Sequence, residues 1–302
     1  MMENVILNRL PVPTFRWLKV NEVSRAENEF GTGAENVIQP DDDARIEITG
    51  GRNRLVINAA ENSRREAVVF ISGSEGKTVV TEVNAAAGAE VKLVQVYENS
   101  GAANSSVNAE IAENAALELI QLYIGGADTV SGINAELAGR CSKFRADIGY
   151  LLDGTDKLDI NLTARHSGKK SSSEIAVKGV MRGHSEKIFR GTIDFLKGAA
   201  GAKGKENEDV LTLDETVRSK TVPLILCAEE DVEGSHGAVI GRIDENQMFY
   251  MQSRGIPEDK IYEMMARAQI AQIAEKTGDS ETIGRVGAAL GGGDSDEQLY
   301  KE

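Results

Sequence analysis

Large side chains are scarce in this chain. Aromatic residues fill 5% of its 302 positions, and it has only five prolines and two cysteines. A core with so few bulky anchors must be built from small and β-branched residues stacked in layers. Two cysteines, Cys141 and Cys227, cannot form a disulfide framework, so reduced thiols are expected. Positive charge is also short: 34 Lys and Arg stand against 48 Asp and Glu, a formal net charge of -14. An acidic chain without a basic stripe repels phosphate backbones and anionic lipid, so neither nucleic acid nor membrane is expected as a partner. No stretch approaches the roughly 18 apolar residues of a spanning helix. The start, Met1 to Val5, lacks the basic region and apolar run of a signal peptide. A cytoplasmic location is therefore expected.

What the chain does have is glycine, 31 residues of it, and alternation. Segments such as Arg54-Leu55-Val56-Ile57 and Lys92-Leu93-Val94-Gln95-Val96-Tyr97 are short period-2 runs bounded by Gly, Asn, Ser and Asp, which is the pattern of strands. Asn-Ala steps at Asn84, Asn108 and Asn134 add a longer period, 24 and then 26 residues. Self-similarity on that scale, in strands and turns, points to a β-solenoid whose coils bury their inward side chains against one another. A sandwich or meander fits the same alternation. Three regions follow. Residues 1–30, broken by Leu10-Pro11-Val12-Pro13, form an N-terminal arm anchored by Phe15, Trp17 and Leu18. Residues 31–244 form the β core, with a small, polar and mobile loop at 198–209. Residues 245–302 form a C-terminal helical domain. Its first helix starts near Asp244, its second runs from Pro257 at N1 to about Lys276, and its tail beyond Leu290 is expected to be disordered. The apolar positions of the second helix, from Ile261 to Ala274, are too many for one contact stripe, so part of the face is expected to meet the chain's own body and part another subunit.

Complete catalytic sets are missing. Ser74-Glu75-Gly76-Lys77-Thr78 looks like the end of a phosphate loop, but Ile71 stands where the first Gly is required, and Val79 to Val83 reads as strand where a helix should open. A second candidate, Gly201 to Glu206, has Glu206 in place of the magnesium-binding hydroxyl. No nucleotide site is expected. His166, His184, His236, Cys141 and Cys227 show no zinc-type spacing. Asp41-Asp42-Asp43 is a solvated turn before it is a calcium site. His236 stands out by position, in Glu233-Gly234-Ser235-His236-Gly237-Ala238 between the last apparent strand and the helical tail.

That segment carries a resemblance. Ser235 to Asp244, followed by Met248-Phe249-Tyr250-Met251-Gln252-Ser253-Arg254-Gly255-Ile256, closely resembles the C-terminal signature of the SufB/SufD family of iron–sulfur cluster assembly proteins. His166 with Ser171-Ser172-Ser173, Phe189-Arg190-Gly191 and Val222-Pro223-Leu224 resemble the family's core, and the likeness runs from about residue 60 to 275. The resemblance implies a mainly β fold, a right-handed parallel β-helix with an N-terminal arm and a small C-terminal α-helical domain. It implies a non-enzymatic scaffold that pairs with a SufB-like chain, or with itself, and docks a SufC-type ABC ATPase. A transient iron–sulfur cluster would form at the subunit interface, with no nucleotide bound by this chain.

Gly237 after the His is the SufD-like form. Counting back without gaps from His236 through Pro223 puts Glu208 where the SufB branch has its essential cysteine, so the sulfur-accepting thiol is expected on another chain. Gly234 stands where SufD usually has Cys. His236 is then the iron or cluster candidate and Cys227, read as a buried strand residue, a weaker thiol candidate. Phe249, Tyr250, Arg254, Ile261, Met264 and Met265 are the expected ATPase contacts. Two rivals are a homodimeric SufB/SufD-type scaffold and a carbohydrate-active β-solenoid enzyme. The first is disfavoured by the missing cysteine. The second is disfavoured by the missing export signal and acidic cluster.

Overall fold

A computed structural model describes residues 4–125 and 127–290, with only the backbone at Tyr262. The chain opens with a small antiparallel pair, β1 (Asn4–Leu7) and β2 (Val23–Ala26). Strands then follow one another in coils: β3 (Glu35–Ile38), β4 (Ala44–Ile48), β5 (Gly51–Ala59), β6 (Arg64–Gly73), β7 (Lys77–Ala85), β8 (Glu90–Asn99), β9 (Ala103–Ile111) and β10 (Ala116–Tyr123). The series continues with β11 (Asp128–Leu137), β12 (Lys143–Leu152), β13 (Lys157–His166), β14 (Ser172–Met181), β15 (Glu186–Phe195), β16 (Ala202–Thr212), β17 (Arg218–Cys227) and β18 (Val232–Gly241). Odd strands from β3 to β17 form one eight-stranded parallel sheet and even strands from β4 to β18 form another. The fold is thus mainly β, a parallel β-solenoid with a small helical part at its C-terminal end.

The coil step is 26 residues where the repeat is most regular: Gly51 pairs with Lys77, Lys77 with Ala103, and Glu90 with Ala116. Asn108 and Asn134 are true partners, but Asn84 pairs with Asn58 and Glu110. The 24-residue Asn-Ala step is therefore a slip of two. A slip of two keeps every side chain on its face, so alternation cannot reveal it.

Alternate residues fill the space between the sheets. One ladder runs through Tyr97, Tyr123 and Tyr150. The first two rings stack with centroids 4.4 Å apart, and Gln95 and Gln121 hydrogen-bond to the hydroxyls beside them. Tyr150 has room because Gly179 follows it in the ladder; a Cβ there would sit 1.9 Å from the ring. His166 is fully buried against Phe195, and both its ring nitrogens are engaged, by Ser171 (2.8 Å) and Ser173 (2.9 Å). Burial lowers its pKa to about 4, so it is a neutral packing residue.

Segment 198–209 is not a loop: most of it is strand β16. Its lumenal positions are Ala202, Gly204, Glu206, Glu208 and Val210. Two glutamates and a glycine among five inward positions hide the alternation that would mark a strand.

The two outer faces are covered differently. The N-terminal arm lies on the odd-strand sheet. Arg190 grips Asp159 with both terminal nitrogens (2.5 and 3.0 Å) and donates Nε–H to the carbonyl of Val20. Asn8 donates to the same carboxylate at 2.6 Å. Leu10, Val20, Val23 and Phe30 are the arm's buried residues, whereas Phe15 and Trp17 are 71% and 76% exposed. The expected aromatic anchor is therefore corrected: these rings stack on each other, 6.4 Å apart, and not on the body.

Helices α1 (Glu245–Ser253), α2 (Glu258–Lys276) and α3 (Ser280–Ala289) complete the chain. The Asp244 carboxylate caps α1 through the amides of Asn246 and Gln247. Gly255, at φ 83°, turns the chain toward Pro257, which is the N-cap of α2 and not its first helical residue. Helix α2 lies on the even-strand sheet, where Ile261, Ile270, Ile273 and Ala274 join Val94, Val96, Ile120 and Leu122 in one buried cluster. Lys92 donates to the carbonyls of Lys276 and Thr277, placing a cation at the helix C-terminus. The third helix was not anticipated; Asp279 caps it, and its ion pair with Arg45 helps hold that carboxyl at about 2. The tail beyond Leu290 lies outside the described residues.

Candidate functional site at the open end of the solenoid

The two ends of the solenoid differ. At the first coil the edge strands are four and five residues long. At the last coil β17 and β18 are each ten residues long, and each pairs on one side only. Among the described residues nothing covers this coil, so its inward-facing residues look out of the solenoid.

His236 is one of them. It pairs in register with Glu206 on β16, as Gly234 pairs with Gly204 and Ala238 with Glu208. In-register residues of a parallel pair share a face, so His236 continues the inward ladder one rung past Glu206. It is exposed because no further rung of described residues lies above it.

Directly below is a charged cluster. Lys187 on β15 is fully buried and donates to Glu208 Oε1 (2.5 Å) and Thr221 Oγ1 (3.0 Å). The Thr221 hydroxyl donates in turn to Glu208 Oε2 (2.5 Å), which closes a three-residue ring between β15, β16 and β17. Burial pushes the Lys187 ammonium down, opposed by the Glu208 charge. Burial, then the Glu208 charge, pushes the Tyr150 hydroxyl well up.

Glu206 is different. It is 2% exposed, and no hydrogen bond from a described residue reaches its carboxyl. Burial, then the neighbouring Glu208 charge, raises it to about 7, with Lys187 pulling the other way. Gly191 on the facing sheet makes space for it, since any Cβ there would sit 1.9 Å from Glu206 Oε2.

Cys227 is the last residue of β17, in register above Phe195, and it is exposed. The expectation of a buried strand residue is corrected, because no described coil lies above it. Phe195 touches the Cβ positions of both Gly204 and Gly234. Cys227, one rung above Phe195, therefore lies on the side of the mouth that Gly234 lines.

The residues expected to meet an ATPase divide. Phe249, Tyr250, Arg254 and Met264 are exposed, and Arg254 stacks over the Tyr250 ring at 5.2 Å. Met265 is half-buried, and Ile261 is fully buried against the solenoid, out of reach of a partner. Ser74 to Lys77 is a turn leading into strand β7, with Lys77 capping the carbonyl of Gly73 from inside the lumen. Asp42 pairs with Arg65, and Asp43 accepts from the Glu66 amide. Sequence reasoning reached His236 by its motif and Glu208 by counting. It missed Lys187 and the inward setting of Glu206, for which the polar run from Ala202 to Val210 carries no alternation signal.

These features define a class first: a parallel β-solenoid, open at its last coil, with a small helical part on one face. Residues 42–269 match the family model described as the SUF system FeS cluster assembly, SufBD core domain. The chain belongs to the SufBD family of iron–sulfur cluster assembly proteins. It is 36% identical over 111 residues to a SufBD family protein of Mycobacterium bovis, covering 37% of this chain and 13% of that protein. It is 33% identical over 111 residues to the iron–sulfur cluster assembly protein SufD of Bacillus subtilis, covering 37% of this chain and 25% of that one. A chloroplastic SufBD family protein of Arabidopsis thaliana is 28% identical over 129 residues, 43% of this chain and 23% of the relative. The matched stretches thus span a quarter or less of these relatives. No described helix is long and apolar enough to cross a membrane.

Proposed function

We propose that this chain is a SufD-like, non-enzymatic scaffold subunit of a reducing, cytoplasmic compartment. It pairs through the open end of its solenoid with a SufB-like chain and presents His236 to an iron–sulfur cluster built transiently at that junction. A SufC-type ATPase docks on its C-terminal helices, and the chain itself binds no nucleotide. The observation that carries this reading is His236 on the inward ladder of an uncovered coil. Two free ten-residue strand edges flank it, and free edges are templates for another chain. Glu208 supports the SufD-like assignment: the position that resembles the SufB cysteine holds a carboxylate locked to Lys187, with no thiol to accept sulfur. Phe249, Tyr250 and Met264, exposed side chains on helices anchored from behind, fit a docking face for the ATPase.

Co-purification tests the docking face. Phe249→Ser with Tyr250→Ser should remove a SufC-type ATPase from the complex while the melting temperature stays unchanged. Undiminished co-purification refutes the assignment. The exposed thiol of Cys227 at the mouth favours one second reading, a homodimer that does both jobs. Cluster reconstitution on this chain plus ATPase, with no other solenoid protein and with loss in Cys227→Ser, would establish it.

A further inference from the structure

We propose that Glu206 and His236 together form a two-donor site for a divalent cation at the mouth of the solenoid, Glu206 giving a carboxylate oxygen and His236 an imidazole nitrogen. The proposal rests on the reading of His236 as an iron-site residue and adds the inward carboxylate beneath it.

Three observations carry it. The residues are register partners on neighbouring parallel strands and share the inward face. Strand spacing is about 4.8 Å, and bonds from imidazole and carboxylate to first-row divalent ions are about 2.0–2.2 Å, so one ion can bridge the two rungs. Second, Glu206 is almost fully buried and takes no hydrogen bond from a described residue, although Glu208, two residues on, has both oxygens occupied. Its oxygens are not sealed in: they reach the water of the open mouth, where an ion can meet them. The nearby cation, Lys187, is already committed to Glu208 and Thr221. Third, Gly191 on the facing sheet leaves the volume that the carboxyl occupies, so a side chain this long can stand inward on the rung beneath His236.

No group of three or more His, Cys, Asp or Glu able to hold a metal occurs among the described residues. The site therefore has two protein donors from this chain, and the remaining positions belong to water or to a chain seated on the open end. Imidazole with carboxylate suits ferrous iron and its neighbours in the first row.

Cobalt(II) serves as the probe, titrated into the full-length chain and followed by its visible absorption and by calorimetry. The expected result is about one ion per chain, with Glu206→Gln and His236→Ala each weakening binding about tenfold or more, since even supporting residues of a metal site are worth 10–100-fold. The double variant should be no worse than the weaker single, because both changes empty one site. Glu206→Asp, which keeps an oxygen donor, should recover part of the affinity. Loss in His236→Ala with wild-type binding in Glu206→Gln overturns this inference and leaves the reading of His236 standing. Unchanged binding in both variants overturns the two together. Failure of the wild-type chain to bind at millimolar cobalt overturns the site. Melting temperatures of each variant separate loss of a donor from loss of the fold.

Discussion

Replacing Glu206 by Gln should stabilise this protein at pH 8 and leave it nearly unchanged at pH 4.5. In the native state burial raises the carboxyl to about 7, from an ordinary 4.5. Between those two values the folded chain binds more protons at this position than the unfolded chain. Stability contributed here is thus present below pH 4.5 and is lost as pH rises to 7. A shift of that size corresponds to about 3 kcal/mol once the carboxyl is charged. Gln keeps the shape and polarity of the neutral acid and cannot ionise, so it escapes that cost. With unfolding entropy of about 2.1 cal/mol/K per residue, the gain is on the order of 5 °C in Tm. The assay is thermal melting by circular dichroism at pH 8 and pH 4.5, in EDTA so that no divalent cation occupies the carboxylate. An equal or lower Tm for Glu206→Gln at pH 8 would refute the reasoning, because it would mean that Glu206 is ionised at no cost and has a partner that the structure does not give it.

Other perturbations follow from the same lumen and from the arm. Glu208→Ala strands the buried Lys187 ammonium and should cost about 3–5 kcal/mol in urea unfolding, while Lys187→Met with Glu208→Leu should recover most of it. His166, depressed to about 4, acts in the opposite sense to Glu206. The unfolded chain takes up its proton first, so stability falls from pH 6.5 toward 4 by about 3 kcal/mol, and His166→Gln should flatten that slope in urea titrations. Arg190→Gln removes the clasp on Asp159 and Val20; residues 8–22 should then be cut faster by limited proteolysis while the solenoid resists.

Period-2 runs such as Lys92 to Tyr97, the scarcity of aromatics and the near-26-residue recurrence were enough to read stacked strands, because alternation is imposed by the backbone on every coil. Helix starts were legible for a similar reason: Asp244 and Pro257 act through local capping and φ, which need no distant partner. The register was not, because a slip of two residues preserves the face pattern. Strand β16 was hidden because its inward positions include Glu206 and Glu208, residues that read as solvent-facing until a lysine from β15 is seen to meet one of them.

The sequence by itself determined the class of this protein and the motif around His236, both of which rest on local pattern. Only the tertiary structure decided what that motif touches. Which coil is last leaves Cys227 and His236 uncovered. Which face of α2 meets the solenoid buries Ile261 and frees Met264. Which residues share a rung sets His236 over Glu206, 30 positions apart in the chain. Contacts of that kind depend on the exact length of every intervening turn, which alternation alone does not encode.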